Sequence, residues 1–223
     1  MTNRPTMYIL AGPNGSGKSS VLEQEIPQDI IKLNADNFSL EIAREKGIPE
    51  NEIRYILNFS AKIAKEKGIP EDEIKDTISR SNILKLAGME RMSSFMQQTI
   101  EQGNSFSAET TLHVKAYQKY IKDAKSHGFE VELLYVGTEN PEINKKRVDF
   151  RVSQGGHDID PDTIESRYYG SLKRLSGYIG MVDKAIIYDN TAKPRIILSI
   201  EHGKIIEINK PVPKWVNNNV ISI

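Results

Sequence analysis

The sequence predicts an α/β fold: a mostly parallel central sheet between two layers of helices, ending in a C-terminal β-hairpin. Three observations predict it. Short apolar runs, Met7 to Ala11, Ile30 to Leu33, Phe129 to Val136 and Ala185 to Tyr188, alternate with segments of helical period, the order that builds βαβ units and a parallel sheet. The first run leads into Gly12-Pro13-Asn14-Gly15-Ser16-Gly17-Lys18-Ser19 and then the amphipathic Ser20 to Ile26, which is the strand, glycine loop and helix of a phosphate-binding loop. Late in the chain, Arg195 to Glu201 and Lys204 to Asn209 flank His202-Gly203, a two-residue hairpin turn. At 223 residues there is room for one such domain with a sizeable core. A single P-loop NTPase-type domain, a three-layer sandwich over residues 1–223, is therefore expected.

Composition narrows the classes of function. Thirty basic residues balance thirty acidic ones, so no global field draws the protein to nucleic acid or to an acidic membrane surface. The absence of cysteine removes disulfides, thiolate metal sites and cysteine nucleophiles together. Met1 to Thr6 has no basic region followed by a long apolar stretch, and no apolar run approaches membrane-spanning length. A cytoplasmic protein is the expectation.

The phosphate loop carries the clearest chemistry. Its glycines let successive backbone N–H groups turn inward around an oligophosphate, so residues Gly12, Pro13, Asn14, Gly15, Ser16, Gly17, Lys18, Ser19 and Ser20 are the candidate ATP-binding set. Lys18 would reach the β- and γ-phosphates, and the Ser19 hydroxyl would bind Mg²⁺. ATP and Mg²⁺ are thus the implied donor and cofactor.

Ile30 to Leu33 is expected as a short buried strand running into Asn34-Ala35-Asp36-Asn37. Ligands of a parallel sheet gather outside the carboxyl ends of its strands, which makes Asp36 a candidate general base. Asp36 reads equally as the N-cap of a helix beginning near Phe38, and the two roles are compatible.

An internal duplication follows. Ile42 to Ile53, IAREKGIPENEI, recurs from Ile63 to Ile74 as IAKEKGIPEDEI. Each copy reads as a helix end at Lys-Gly, a turn through Ile-Pro and a new helix primed by acidic residues. Two copies are too few for a solenoid, so residues from about 41 to 77 are expected as a helical insertion, forming a substrate wall or a partner surface or serving as an inert elaboration. From Asn82 to Gln102 the apolar residues recur at helical spacing, with Met92, Phe95 and Met96 expected in the core.

Ser105 to Ala108 reads as a strand running into Glu109-Thr110-Thr111, a second carboxylate at a strand's carboxyl end, and Lys115 to Ser126 as an amphipathic helix. Asn140-Pro141 opens a helix bearing Lys145, Lys146, Arg147 and Arg151. Gln154-Gly155-Gly156-His157 breaks it, and Asp160-Pro161 starts another with Arg167 and Arg174. An arginine-rich helix, glycine hinge and helix over about 140–175 reads either as a lid closing on ATP or as a solvated basic helix pair. Ala185 to Tyr188 ends at Asp189-Asn190, which imitates a Walker B strand; contact with the nucleotide and a plain strand-end turn both stay open. The tail from Pro211 carries little signal.

Taken in order, Ala11 to Ser20, Asn34-Ala35-Asp36, Phe106 to Thr111, Arg147-Val-Asp-Phe-Arg151-Val-Ser-Gln-Gly-Gly-His157, Arg167-Tyr168 and Asp189-Asn190 resemble the zeta-toxin-like P-loop kinases. The resemblance implies phosphotransfer from ATP to a hydroxyl, in the toxins that of UDP-N-acetylglucosamine. By position it implies that Asp36 is the base and that Glu109, with Thr110, holds the substrate, or that Glu109 serves the metal region. It further implies that Lys18, Arg147, Arg151 and Arg167 stabilise charge and that Asn190 contacts the nucleotide. Any antitoxin would be a separate polypeptide. Two departures fall on the substrate side: where the toxins are expected to carry a basic residue soon after the aspartate, Asn37-Phe38-Ser39-Leu40 stands here, and the duplicated helical block separates Asp36 from Glu109. A kinase for another sugar or a nucleoside, and a slow ATPase acting as a nucleotide-dependent binding protein, are the alternative readings.

Overall fold

The computed structural model describes residues 4–221; the side chains of Lys62 and of the repeat position Ile63 lie outside the described residues. In chain order the elements are β1 (Thr6–Ala11), α1 (Lys18–Leu22), β2 (Ile31–Leu33), α2 (Ala35–Glu45), α3 (Glu50–Leu57), α4 (Ala61–Glu66), α5 (Glu71–Glu101), β3 (Phe106–Thr110) and α6 (Tyr117–Ser126). They continue with β4 (Glu130–Gly137), α7 (Pro141–Ser153), α8 (Pro161–Ile179), β5 (Lys184–Asp189), β6 (Arg195–Glu201), β7 (Lys204–Ile208) and the short α9 (Lys214–Val216), which runs into a π-helical turn over Asn217–Ile221. Contacts group the chain into two compact units, Met1–Lys32 with Gln97–Arg147 and Pro161–Ile223, and Leu33–Met96 with Val148–Asp160.

The first unit is built on a seven-stranded sheet of order β2-β3-β1-β4-β5-β6-β7. β1 pairs in parallel with β3 and β4, and β4 with β5, whereas β6 and β7 close the edge as the expected antiparallel hairpin. Leu133, Leu134, Tyr135 and Val136 of β4 are buried in succession, as a strand covered on both faces must be. On one face Leu22 and Ile26 pack with Leu134, Val136 and Tyr188. Among the described residues no helix is long and apolar enough to cross a membrane.

The tail that carried little signal is packed. Trp215 is buried against Tyr135, with ring centroids 6.1 Å apart, and a β-carbon on Gly137 would meet its ring at 2.4 Å. Gly137 therefore makes room for the indole at the end of β4.

The second unit is helical. Both copies of the repeat end a helix in the same way: Gly47 and Gly68 take φ of 71° and 72°, and Ile48 and Ile69 donate to Ala43 O and Ala64 O at 3.1 and 3.0 Å. This left-handed glycine closure satisfies the last carbonyls of each helix. Ile42, Ala43, Ile53, Ile56, Leu57 and Leu84 form the core of this unit.

Several boundaries differ from the sequence reading. α1 starts at Lys18 and stops at Leu22, because the helix begins inside the loop motif. The helix expected at Phe38 starts at Ala35, and its N-cap is Asn34, whose side chain accepts from Asp36 N at 2.8 Å. Asp36 is thus not the cap but a first-turn acid, where its charge still favours the helix start. The segment from Asn82 belongs to one continuous helix from Glu71. On it Met92 and Met96 are buried as expected, but Phe95 is 46 % exposed and meets Phe38 ring to ring at 5.2 Å.

Candidate active site

The order of the sheet determines where the site lies. β1 sits between β3 and β4, so connections run to both sides of it, and a crevice opens beyond the carboxyl end of a strand so placed. The register sets Ala11 beside Thr110 and Tyr135, and Gly12 N donates to Thr110 O at 3.3 Å. The glycine loop and the Glu109-Thr110 pair are therefore neighbours because two parallel strands end together.

The loop is a cradle that side chains could not share. Gly15 and Gly17 take φ of 74° and 88°, and a β-carbon on either would lie 2.4 Å from Asn144 O or Asn190 Nδ2. Lys18 is 7 % exposed and folds back over the loop, donating to Gly12 O at 2.9 Å and Pro13 O at 3.3 Å. Its ammonium is 3.7 Å from Glu109 Oε1. Ser16 is fully buried, and among the described residues its hydroxyl has no hydrogen-bond partner, an unusual state for a buried donor.

Three remote residues hold this loop. Asn144 on α7 donates to Asn14 O at 2.6 Å, and its own Oδ1 accepts from Thr138. Arg167 on α8 donates to Asn14 Oδ1 at 3.0 Å. Asn190, at the end of β5, donates to Ser16 O at 2.8 Å. Arg147 lies close by and donates to Asn190 O and Thr191 O at 2.8 and 3.4 Å, leaving Nη1 buried and unpartnered among the described residues. The first unit thus gathers Lys18, Glu109, Thr110, Arg147, Arg167 and Asn190 around the loop.

Asn190 and Thr110 have uses the sequence did not indicate. The Asn190 amide is engaged on the loop backbone, and Thr110 Oγ1 accepts from Leu112 N at 3.1 Å. Asp189, the Walker B imitation, is an anchor: it accepts from Trp215 Nε1 at 3.1 Å and from Thr191 Oγ1 at 2.6 Å. Asn144 was missed altogether. Its spacing of three from Arg147 puts both on one helix face, and that was the signal available.

Two titratable groups border Glu109 and Arg167. Tyr117 donates to Glu109 O at 3.0 Å, and burial, with the Glu109 charge, pushes its hydroxyl far above the usual range. His113, 2.6 Å from Thr111 Oγ1, is held below the usual histidine range by burial and then by the Arg167 and Arg174 charges.

In the second unit Asp36 is exposed in the first turn of α2. Arg151 donates to His157 O through Nε and Nη2 at 3.1 and 2.7 Å, so its guanidinium shapes the Gly155-Gly156-His157 turn.

Residues 71–199 match the family described as zeta toxin, more than half of the chain. The chain belongs to the zeta toxin family. An uncharacterized protein of Haemophilus influenzae is 41 % identical over 69 residues, 31 % of this chain and 49 % of that relative, so the match spans about half of the relative's length. A solved structure from the PezAT chromosomal toxin–antitoxin system of Streptococcus pneumoniae is similar at a TM-score of 0.60 and 18 % identity, covering 89 % of this chain and 72 % of that one. The AvrRxo1-ORF1:-ORF2 complex with ATP is similar at 0.61 and 15 %, covering 93 % and 61 %. These likenesses show the P-loop fold.

Proposed function

We propose that the protein transfers the γ-phosphate of ATP to a hydroxyl of a small molecule, a nucleotide sugar such as UDP-N-acetylglucosamine. The observation that carries this reading is the phosphate loop of Lys18 set against Glu109, with Arg167 reaching the same loop at Asn14. Positioned cations and backbone donors are most of what phosphoryl transfer asks of a protein. In this reading Lys18 leaves its loop carbonyls for the β- and γ-phosphates, Arg147 and Arg167 offset charge in the transition state, and Glu109 with Thr110 orients the acceptor. Asp36 takes the proton of the attacking hydroxyl, and Arg151 serves the same reaction from the hinge turn.

The residues present fit a magnesium ion carried with the nucleotide. No group of three or more His, Cys, Asp or Glu among the described residues could hold a metal, whereas Mg²⁺ in kinase sites leans on phosphates and few protein oxygens. The glycine cradle and the unpartnered Ser16 hydroxyl fit a phosphate chain, and the Ser19 hydroxyl would hold the ion. When bound it supplies neutralisation of phosphate charge. A separate antitoxin polypeptide and a cytoplasmic setting complete the proposal; the similar structure from the PezAT toxin–antitoxin system supports the former.

The test is label transfer from γ-labelled ATP to a panel of nucleotide sugars, sugars and nucleosides. The parent is expected to label UDP-N-acetylglucosamine or a close analogue. Asp36→Asn is expected to keep ATP affinity and lose about 10²–10⁴-fold in transfer rate. Transfer at the parent rate by that variant would remove Asp36 as the base, and labelling of nucleosides alone would replace the acceptor class.

A further inference from the structure

A cavity bordered by the start of α7, by α8 and by the C-terminal turns has no part in the phosphotransfer reading. Its volume is about 480 Å³ and it lies wholly within the first unit, in the size range of small-molecule sites, about 300–1,000 Å³. Neither the stretch Gly12 to Ser20 nor Arg147 lines it, so it is separate from the cradle of the phosphate loop.

Much of its wall is aromatic. Tyr168 and Trp215 are buried, and their polar atoms are engaged inside the protein: the Tyr168 hydroxyl donates to Thr138 O at 2.8 Å and Trp215 Nε1 to Asp189 Oδ1 at 3.1 Å. What these two lend the cavity is therefore ring carbon. Tyr169 stands edge-on to Tyr168 with centroids 5.2 Å apart, yet is 56 % exposed, so much of its ring is open to a ligand. A π-helical turn, Asn217–Ile221, brings Asn218 and Asn219 to the same cavity. Such turns are rare and often mark functional sites. Three asparagines in succession weaken the turn they form, and what they add is a row of amide donors and acceptors. Asn219 donates to Trp215 O at 2.7 Å, whereas the exposed Asn218 amide has no partner among the described residues.

The charges are spread along α8. Glu139 lies close enough to Tyr168 to add to burial in raising its hydroxyl far above the usual range. One turn on from Tyr169, and on the same helix face, comes Lys173, while Lys214 lines the cavity from α9. Both lysines are exposed, and among the described residues neither ammonium has a hydrogen bond or an ion pair.

We propose that this cavity binds a nucleoside monophosphate, its base against Tyr169 and the Trp215 ring, the base edge read by Asn218 and Glu139, and its phosphate held by Lys173 and Lys214. Two ammonium groups match the charge of one phosphate monoester, about −1.5 to −2 at neutral pH. Rings with amides beside them suit a base, which offers a π-face and an edge of donors and acceptors. An inorganic anion leaves the rings uncovered, and an uncharged aromatic leaves both lysines without a partner. Nothing in this site depends on transfer from ATP.

Trp215 is the only tryptophan in the chain and reports on the cavity directly. With the phosphate loop saturated by a non-hydrolysable ATP analogue, AMP, GMP, CMP and UMP are titrated separately into the full chain, with affinity read by calorimetry and place by Trp215 fluorescence. At least one is expected to bind saturably and to shift the emission. Lys173→Met and Lys214→Met are each expected to weaken it about tenfold, the loss of one charge-assisted hydrogen bond, with Lys173→Arg restoring it. The matching nucleoside, which lacks the phosphate, is expected to bind about tenfold more weakly than the monophosphate in the parent and to be unaffected by Lys173→Met, and the affinity for the ATP analogue is expected to stay at the parent value in every variant. Absence of saturable binding by all four, a monophosphate whose binding falls as the analogue is raised, or equal affinities in the parent and both methionine variants would each overturn the assignment. A nucleoside that binds as tightly as its monophosphate overturns it too.

Discussion

His113 ties the electrostatics of the site to a measurable titration. It lies three residues past β3, with Thr111 Oγ1 at 2.6 Å, and burial, Arg167 and Arg174 all disfavour its cation. A histidine depressed in this way contributes stability that is fully present above its unfolded value of about 6.5 and is lost as pH falls from there through the folded value. Arg167→Ala removes one of the two repelling cations, so His113 is expected to titrate at higher pH in that variant, read by imidazole NMR. An unchanged titration would place the guanidinium too far from the ring to hold it neutral. Asp189 teaches a different lesson at the same scale. Its sequence context, four hydrophobics and then a carboxylate, is that of a metal ligand, yet its Oδ1 accepts from both Trp215 and Thr191, and its Oδ2 lies 3.8 Å from Arg195 Nε. Both partners follow it in the chain, and the indole that claims it stands 26 residues later, beyond what a local pattern can register. The capping reading of Asp36 failed at shorter range, because Asn34, two positions earlier, is the cap.

Among the elements, the parallel pair β4 and β5 shows how a sheet is fastened at the end away from the loop. Asp183, one residue before β5, accepts from Val131 N at 2.9 Å and from Lys125 Nζ at 2.8 Å, while His202 N donates to its backbone carbonyl at 2.7 Å. One residue thus joins β4 and α6 through its side chain and the hairpin turn through its carbonyl. Burial works to raise its carboxyl, but the bonds from Lys125 and Val131 and the nearby positive charge outweigh it and hold it below the usual range. A depressed carboxylate contributes stability that is present above its unfolded value, about 3.9, and lost as pH falls through the folded value. Asp183→Asn is therefore expected to cost about 1–3 kcal/mol in urea unfolding near neutral pH, and the difference from the parent is expected to shrink as pH falls below about 4. A gap that stays constant into acid would mean that the carboxylate charge contributes nothing. The repeat, by contrast, was legible almost residue by residue. Its signals, Lys-Gly endings, Ile-Pro turns and acidic first turns, act within one helical turn and needed no tertiary partner.

Across the whole molecule, what could be read from the sequence divides by the range of the interaction. Strand, glycine loop and helix followed from spacing alone, and the parallel order with its antiparallel edge followed from alternation and one hairpin turn. The contacts that hold the loop did not, since Asn144, Arg167 and Asn190 reach it from 130, 153 and 174 residues away. Family resemblance singled out Arg167 and Asn190, but as groups for the ligand, whereas here each also fixes the loop that receives it. A preformed cradle does not have to be ordered when a phosphate arrives, so these bonds should register in affinity as well as in stability. Asn190→Ala leaves Ser16 O without its donor and opens the space that Gly17 faces. We expect the variant to bind an ATP analogue about tenfold more weakly by calorimetry, the equivalent of one lost hydrogen bond, with a smaller fall in its urea midpoint. Should the midpoint fall while affinity holds, the amide would be a fastening of the sheet and the loop would order itself around phosphate without help. Loss of affinity with the fold intact would show that this end of β5, read in the sequence as a contact with the nucleotide, acts on it through the loop.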